Sequence, residues 1–324
     1  MRTHLLDPQM RRTRFAPPGW LLLLPILMAS IQAQLPDLKI GVDSILLTWA
    51  PTGEECIVVC AESLDGPWTP VPVPIREVDG QCQAIVKCSG QQQYFRLKKG
   101  ACFVEDFDEG FTEGWNIFYP SPEAEEAVNF DYSCGHLRIT CTDLGETWPA
   151  YFGREELLAG DFALSIDILD WNPDSTDRVI VCLHALANVE DDDVEQLKFY
   201  DCGWTIFGGP IPVGKSLLWT LRWDTMDDSK YLWDWDYLNV QLPERSYRLM
   251  VTGTHMEFGP QLRLKLTMQL FNRDTGELIK QETGWDTSPL APGSVGFHVY
   301  GPEDGTGTID VTLDNYIAVV IPPE

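Results

Sequence analysis

Four aromatic residues at a spacing of two mark the stretch YLWDWDYL: Tyr231, Trp233, Trp235 and Tyr237, interleaved with Asp234 and Asp236. Successive side chains of a strand point to opposite faces, so the four rings share one side and the two carboxylates the other. Flat indole and phenol rings offer an apolar surface to the C–H faces of a sugar, with acids at hand for its hydroxyls. Such rings also suit the gap between two sheets, as Trp219, Leu221 and Trp223 upstream do, and the spacing leaves both roles open. The interleaved acids require one wet face, because an isolated buried charge is costly. If the aromatic face is the open one, four rings form a patch larger than soluble monomers usually carry without a function.

Hydrolysis of a glycosidic bond needs two carboxylates flanking it, about 5 to 5.5 Å apart when configuration is retained. The nearest arrangement is Ser165-Ile166-Asp167-Ile168-Leu169-Asp170, where Asp167 and Asp170 differ in parity and so point to opposite faces. No GxSxG, HExxH or phosphate-loop pattern occurs. His136, His184, His255 and His298 are scattered singly, with no CxxC repeat beside them, and read as ordinary strand positions rather than ligands. No catalytic set is expected.

Nine cysteines suggest disulfides with one thiol left over. Cys56 and Cys60, Cys82 and Cys88, and Cys134 and Cys141 each lie along one expected strand. At about 3.3 Å per residue they are too far apart to pair within the couple, so partners must lie across strands. The acidic run EDDDVE at residues 190–195 reads as a hairpin tip. Centred near Asp192, that hairpin sets Cys182 opposite Cys202, Ala185 opposite Phe199 and Ala187 opposite Leu197, which predicts a Cys182–Cys202 disulfide.

These residues need a scaffold, and the chain supplies it in three parts. Residues 1–33 carry a basic start (Arg2, Arg11, Arg12, Arg14), an apolar run WLLLLPILMA and small residues before Gln34, the pattern of a secretory signal. The apolar run is short and broken by Pro25, so no stable membrane span is expected, and the mature chain should begin near Gln34 in a secreted or cell-envelope setting. Removing this leader takes four of 23 basic and one of 49 acidic residues, leaving 19 against 48 and a net charge of −29. Such a surface repels nucleic acid and anionic membranes and favours a neutral or cationic partner.

Residues 36–100 contain short strand patterns at 45–49, 56–60, 81–88 and 94–97 with turn residues between them. Their run of ILLTW, AESLDGPWTPV and YFRLKK resembles a small fibronectin-III-like sandwich, with Trp49 in its core and a spacer role. Residues 103–320 form the larger unit, opening on FVEDFDEGFTEGW. Leu262, Leu264, Leu266, Met268 and Leu270 alternate with polar residues, as do Val295/Phe297/Val299 and Ile309/Val311/Leu313, which predicts an antiparallel meander.

In YRLMVTGT, DTGEL, GSVGFHVYG and TIDVTLDNY this unit resembles the laminin-G-like, concanavalin A-like jelly rolls of large secreted planctomycete and verrucomicrobial proteins. The resemblance implies an all-β chain of two stacked antiparallel sheets behind the small module. It names no single function, since such sandwiches host lectins, enzymes and spacers. Laminarinase-like enzymes of this fold carry an E-x-D-x-E strand, from which SIDILD departs at both glutamate positions. Related lectins often hold calcium where the first and last strands lie side by side, which points here to Glu105, Asp106, Asp108 and Asp314. Their hard oxygen donors suit that ion, and Asp106 and Asp108 share a face at strand spacing. The resulting expectation is a non-catalytic exported protein that binds polysaccharide, a cell-surface glycan or another surface partner. The alternatives are a polysaccharide-acting glycoside hydrolase and a purely structural surface protein. Two carboxylates about 5 to 10 Å apart in a groove would mark the hydrolase, and aromatic rings lining it without them would mark the binder.

Overall fold

In Gln261–Asn272 the alternation of the sequence becomes burial: Leu264, Leu266, Met268 and Leu270 are wholly buried, while Arg263, Lys265, Thr267 and Gln269 remain partly open. Leu262, the first of the series, runs past the end of the core and is half exposed. The structure is a computed structural model. It describes residues 2–7, 10–14, 44–87, 93–119, 122–141, 150–171, 178–188, 198–207, 215–225, 228–232, 236–239, 246–300 and 309–323.

Within the stretch expected to be an export leader, β1 (Arg2–Asp7) and β2 (Met10–Arg14) pair as a hairpin; the apolar run itself lies outside the described residues. Among the described residues, no helix is long and apolar enough to cross a membrane. Next come β3 (Ser44–Trp49), β4 (Cys56–Ala61), β5 (Thr69–Pro70), β6 (Arg76–Val78), β7 (Gln81–Lys87) and β8 (Tyr94–Lys99). They form two three-stranded sheets, ordered β3-β7-β6 and β5-β4-β8. These close on Ile45, Leu47, Trp49, Val58, Ala84, Val86, Phe95 and Leu97, so Trp49 is a core residue.

The remaining elements are β9 (Ala101–Glu105), β10 (Asn116–Phe118), α1 (Pro122–Ala127), β11 (Val128–Asp131), β12 (Leu137–Cys141), β13 (Ala150–Ala159), β14 (Asp161–Trp171), β15 (Arg178–Asn188) and β16 (Lys198–Phe207). They continue with β17 (Lys215–Thr225), β18 (Asp228–Tyr231), β19 (Asp236–Asn239), β20 (Tyr247–Phe258), β21 (Gln261–Asn272), β22 (Leu278–Asp286), β23 (Gly293–Tyr300) and β24 (Ile309–Ile321). A front sheet runs β10-β13-β23-β15-β16-β17-β18, with β19 also on β17. A back sheet runs β11-β12-β24-β14-β20-β21-β22, with β9 also on β24. The core between them includes Val181, Leu183, Trp204, Leu218 and Phe297 from the front and Phe162, Leu164, Leu249, Leu266 and Met268 from the back.

Two expectations are corrected here. The meander holds only for β20-β21-β22; β23 crosses to the front sheet between β13 and β15, and β24 returns to the back sheet between β12 and β14. Alternation says which face of a strand is buried, not which sheet it joins, and both sheets turn their apolar faces to the same gap. Nor do Cys182 and Cys202 pair. Cys182 faces Gly203, Cys202 faces Leu183, and both thiols are free. The register is one residue off the predicted one, which sends the two cysteines to opposite faces of the sheet. An irregularity between Ala185 and Asn188, where Leu186 takes φ 55°, contributes a further shift; the predicted tip at Asp192 lies outside the described residues. None of the eight described cysteines, Cys56, Cys60, Cys82, Cys102, Cys134 and Cys141 included, is in a disulfide; Cys88 is outside the description.

The small sheets pack on the outer face of the back sheet. Ile57 and Val59 of β4 meet Ala163, Ile317, Val319 and Ile321, with Trp68 and Cys102 at the margin. Only Gly100 separates β8 from β9, and a Cβ there would lie 2.5 Å from the Val320 carbonyl oxygen and 3.1 Å from Ile57, so the junction admits nothing larger.

Candidate functional site

On β17, Leu218 enters the core between the sheets, whereas Trp219, Leu221 and Trp223 turn to the outer face of the front sheet, where they cluster with Cys182. Their reading as filler between the sheets is therefore corrected: the polar Thr220 and Arg222 are the ones that share the inner side with Leu218. The Trp219 indole reaches over β16, its Nε1 donating to Thr205 Oγ1 at 3.0 Å. That path is open because residue 203 is glycine; a Cβ there would fall 2.3 Å from the ring. Trp223 stacks on Phe199 with centroids 6.0 Å apart and planes 12° apart.

The aromatic stripe is not one strand. Tyr231 ends β18 opposite Leu221, and Tyr237 lies in β19 opposite Leu217; both short strands pair with β17. Between them the edge carries two more residues than β17 does, and Trp233 and Trp235 lie outside the described residues. Because Leu221 sits in the same alternate row as Trp219, register puts Tyr231 in line with the outward row. Tyr231 is 45% exposed, whereas Trp219 is 3% exposed. The outer face thus grades from a covered tryptophan to an open tyrosine at the sheet edge.

Three neighbouring strands bring a second set of groups to this face. Cys182 of β15 is the cross-strand partner of His298 on β23, and His184 that of Asp201 on β16. Ligand atoms of Cys182, Asp201 and His298 lie within 4.8 Å of one another, and all three residues are buried. His298 Nε2 stands 3.7 Å from Asp201 Oδ2. Among the described residues, neither oxygen of Asp201 has a hydrogen-bond partner of ordinary geometry. Burial lifts the Asp201 pKa to about 7, only partly opposed by the Cys182 thiol and the Trp223 indole. Burial also raises the Cys182 thiol well above its usual range, with Asp201 adding to the effect. It lowers His184 to about 3 and His298 well below the ordinary imidazole value, so both rings are neutral. The histidines had read as ordinary strand positions. The signal that was present is the Cys182-x-His184 spacing, which puts both on one face; Asp201 and His298 are brought in only by strand pairing.

The four carboxylates expected to hold calcium do not form a donor cluster: among the described residues, the only group of three or more such side chains is Cys182, Asp201 and His298. Glu105 is buried and its Oε2 is already taken by the Thr112 amide at 3.0 Å, the Thr112 hydroxyl at 2.7 Å and the Trp115 indole at 2.9 Å. Asp106 accepts the Asp108 amide in a local turn. Asp314 accepts from the Asn315 amide at 2.8 Å and side chain at 2.7 Å. The calcium set therefore does not fit. Asp167 is likewise occupied. Wholly buried on the outer face of the back sheet, it takes Arg248 at 2.6 and 2.9 Å, Arg273 at 2.9 Å and Asn315 at 3.2 Å.

A last polar group was not foreseen. Asp286 of β22 enters the gap between the sheets, where it accepts from Tyr200 at 2.7 Å and Arg222 at 2.6 Å, with Lys230 at 3.7 Å. Arg222 also donates to Asp224 and to the Ser288 carbonyl. Burial alone would raise the Asp286 pKa, but donation from the Ser288 amide, Tyr200 and Arg222 holds it below the usual carboxylate range.

Strand pairing of this kind defines an all-β protein whose larger part is a two-layer antiparallel jelly-roll sandwich. No known family matches the chain, and no curated protein does. Among solved structures, it is similar to a legume lectin-like domain from Entamoeba histolytica, at 13% identity over 64% of this chain and 90% of that one, with a TM-score of 0.42. A glycoside hydrolase family 16 endo-glucanase from Bacteroides ovatus gives 8% identity over 67% and 99%, with a TM-score of 0.43. The alginate lyase vAL-1 from Chlorella virus gives 9% identity over 64% and 93%, with a TM-score of 0.40.

Proposed function

We propose that this chain is an exported, non-catalytic β-sandwich that binds carbohydrate through the aromatic edge of its front sheet. The observation that carries this reading is Tyr231: a large ring 45% exposed at a sheet edge, in register with the outward row of Trp219, Leu221 and Trp223. An exposed ring anchored beside buried ones is pre-organised to stack on a pyranose, because little side-chain freedom remains to be lost on binding. The net negative charge of the chain suits a neutral sugar better than an acidic one. In this reading Trp233 and Trp235 contribute to binding and the small module acts as a spacer. A glycan array probed with the full-length chain and with Tyr231→Ala tests it. Binding to a set of neutral glycans that falls in Tyr231→Ala supports the proposal; the same binding in both proteins, or none in either, refutes it.

A further inference from the structure

We propose that Cys182, Asp201 and His298 bind one divalent transition-metal ion of the zinc type. The three donors come from adjacent central strands, β15, β16 and β23, whose backbones are fixed by pairing on both sides. Sites carried on such elements hold their geometry better than sites on loops. Zinc bonds of about 2.0 to 2.3 Å in a tetrahedral shell put neighbouring donors about 3.3 to 3.8 Å apart. The 3.7 Å between His298 Nε2 and Asp201 Oδ2 already meets that, and the 4.8 Å limit on the whole set leaves about an ångström of side-chain adjustment.

The donor types choose the ion. One sulfur, one imidazole nitrogen and one carboxylate oxygen suit a borderline metal, whereas calcium and magnesium take oxygen throughout. Charge also closes. The thiol releases its proton as the S–metal bond forms, and Asp201 releases any proton it holds, so a thiolate and a carboxylate cancel the two charges of the ion while the imidazole stays neutral. A buried site with no net charge avoids most of the cost of an isolated buried ion. Without the ion, Asp201 is fully buried, neither of its oxygens makes a hydrogen bond of ordinary geometry among the described residues, and His298 Nε2 stands 3.7 Å from it. Arg222, the nearest guanidinium in sequence to this part of β17, is turned to the opposite face, against Asp286.

Three protein donors leave a tetrahedral ion one further position. His184 is on hand for it: its ring is stacked on that of His298 with centroids 6.0 Å apart, and its Nδ1 has no hydrogen-bond partner among the described residues. Trp219 closes the site from above, since both its ring and Cys182 Sγ crowd the space over Gly203.

The test uses the full-length chain, produced in medium supplied with Co2+ and purified under a mild reductant. Wild type should carry about one cobalt per chain with a thiolate-to-cobalt charge-transfer band in the near ultraviolet, and Zn2+ should displace both. Cys182→Ala should abolish the band, and His298→Gln should weaken retention at least tenfold. Cys134→Ala, at an exposed thiol elsewhere, should change neither. Wild type without cobalt or without the band overturns the proposal, as does Cys182→Ala that keeps both. If Cys182→Ala does not accumulate as folded protein, His298→Gln decides in its place: undiminished cobalt with an unchanged band overturns the site.

Discussion

The Trp219 indole lies across Gly203, so close that a Cβ on that glycine would come within 2.3 Å of the ring and 2.9 Å of Cys182 Sγ. One missing side chain therefore sets the position of both the covering tryptophan and the thiol beneath it. Gly203→Ala should destabilise the chain by about 1 to 3 kcal/mol, the usual cost of overfilling a packed site. Denaturant unfolding followed by tryptophan emission measures it, and an unchanged midpoint would show that the indole is not held there.

Exposure separates the two ends of the aromatic row. Tyr231→Ala should change stability by no more than about 0.5 kcal/mol, as surface replacements do, while lowering glycan affinity. Trp219→Ala should cost about 3 to 5 kcal/mol, as for other buried large-to-small changes. Thermal melts with glycan titration distinguish the two, and a stable Trp219→Ala variant would count against the burial described.

Asp286 gives a pH dependence with a defined sign. Its folded-state pKa lies below the unfolded value of 3.8, so the folded state binds fewer protons around that pH. The stability it contributes is thus fully present above the unfolded value and is lost as pH falls through the folded one. Asp286→Asn should flatten the stability profile below about pH 4. At pH 7 it should cost about 1 to 3 kcal/mol, because Arg222 keeps Asp224 as a counter-charge but loses its buried charged acceptor at Asp286. Urea unfolding across pH 2.5 to 7 measures both, and an equal acid slope in the variant would remove Asp286 as its source.

Asp167 should behave as a structural group. Asp167→Asn leaves Arg248 and Arg273 facing an uncharged acceptor and should destabilise by about 3 to 5 kcal/mol while glycan affinity stays the same. Loss of binding in a variant that still melts like wild type would instead place this carboxylate in the ligand site.

The sequence showed the fold more clearly than the site, for a physical reason. Strand and face follow from nearest neighbours in the chain, so β21 and the core position of Trp49 could be read directly from alternation and flanking turns. Sheet membership does not, which is why β23 was placed in a meander it leaves. Register is finer still: one residue of slip separated Cys182 from Cys202 and turned a predicted disulfide into two thiols on opposite faces. The same limit hid the donor set, whose members stand at 182, 201 and 298 and meet only through two strand pairings. The aromatic edge was visible as composition, but its break between β18 and β19 was not, because two extra residues on one strand leave no mark on an alternating pattern.

The junction at Gly100 bears on how the front face is presented. A linker of one residue, pressed against the Val320 carbonyl and flanked by the packed contact of Ile57 and Val59 with Ile317 and Val319, leaves no room for a swivel. The small sheets and the sandwich turn together, like a blade set in its handle. Whatever anchors the small module therefore also fixes the bearing of Tyr231, on the far sheet of the sandwich. Such a chain meets its ligand by being aimed at it rather than by sweeping the space around a tether.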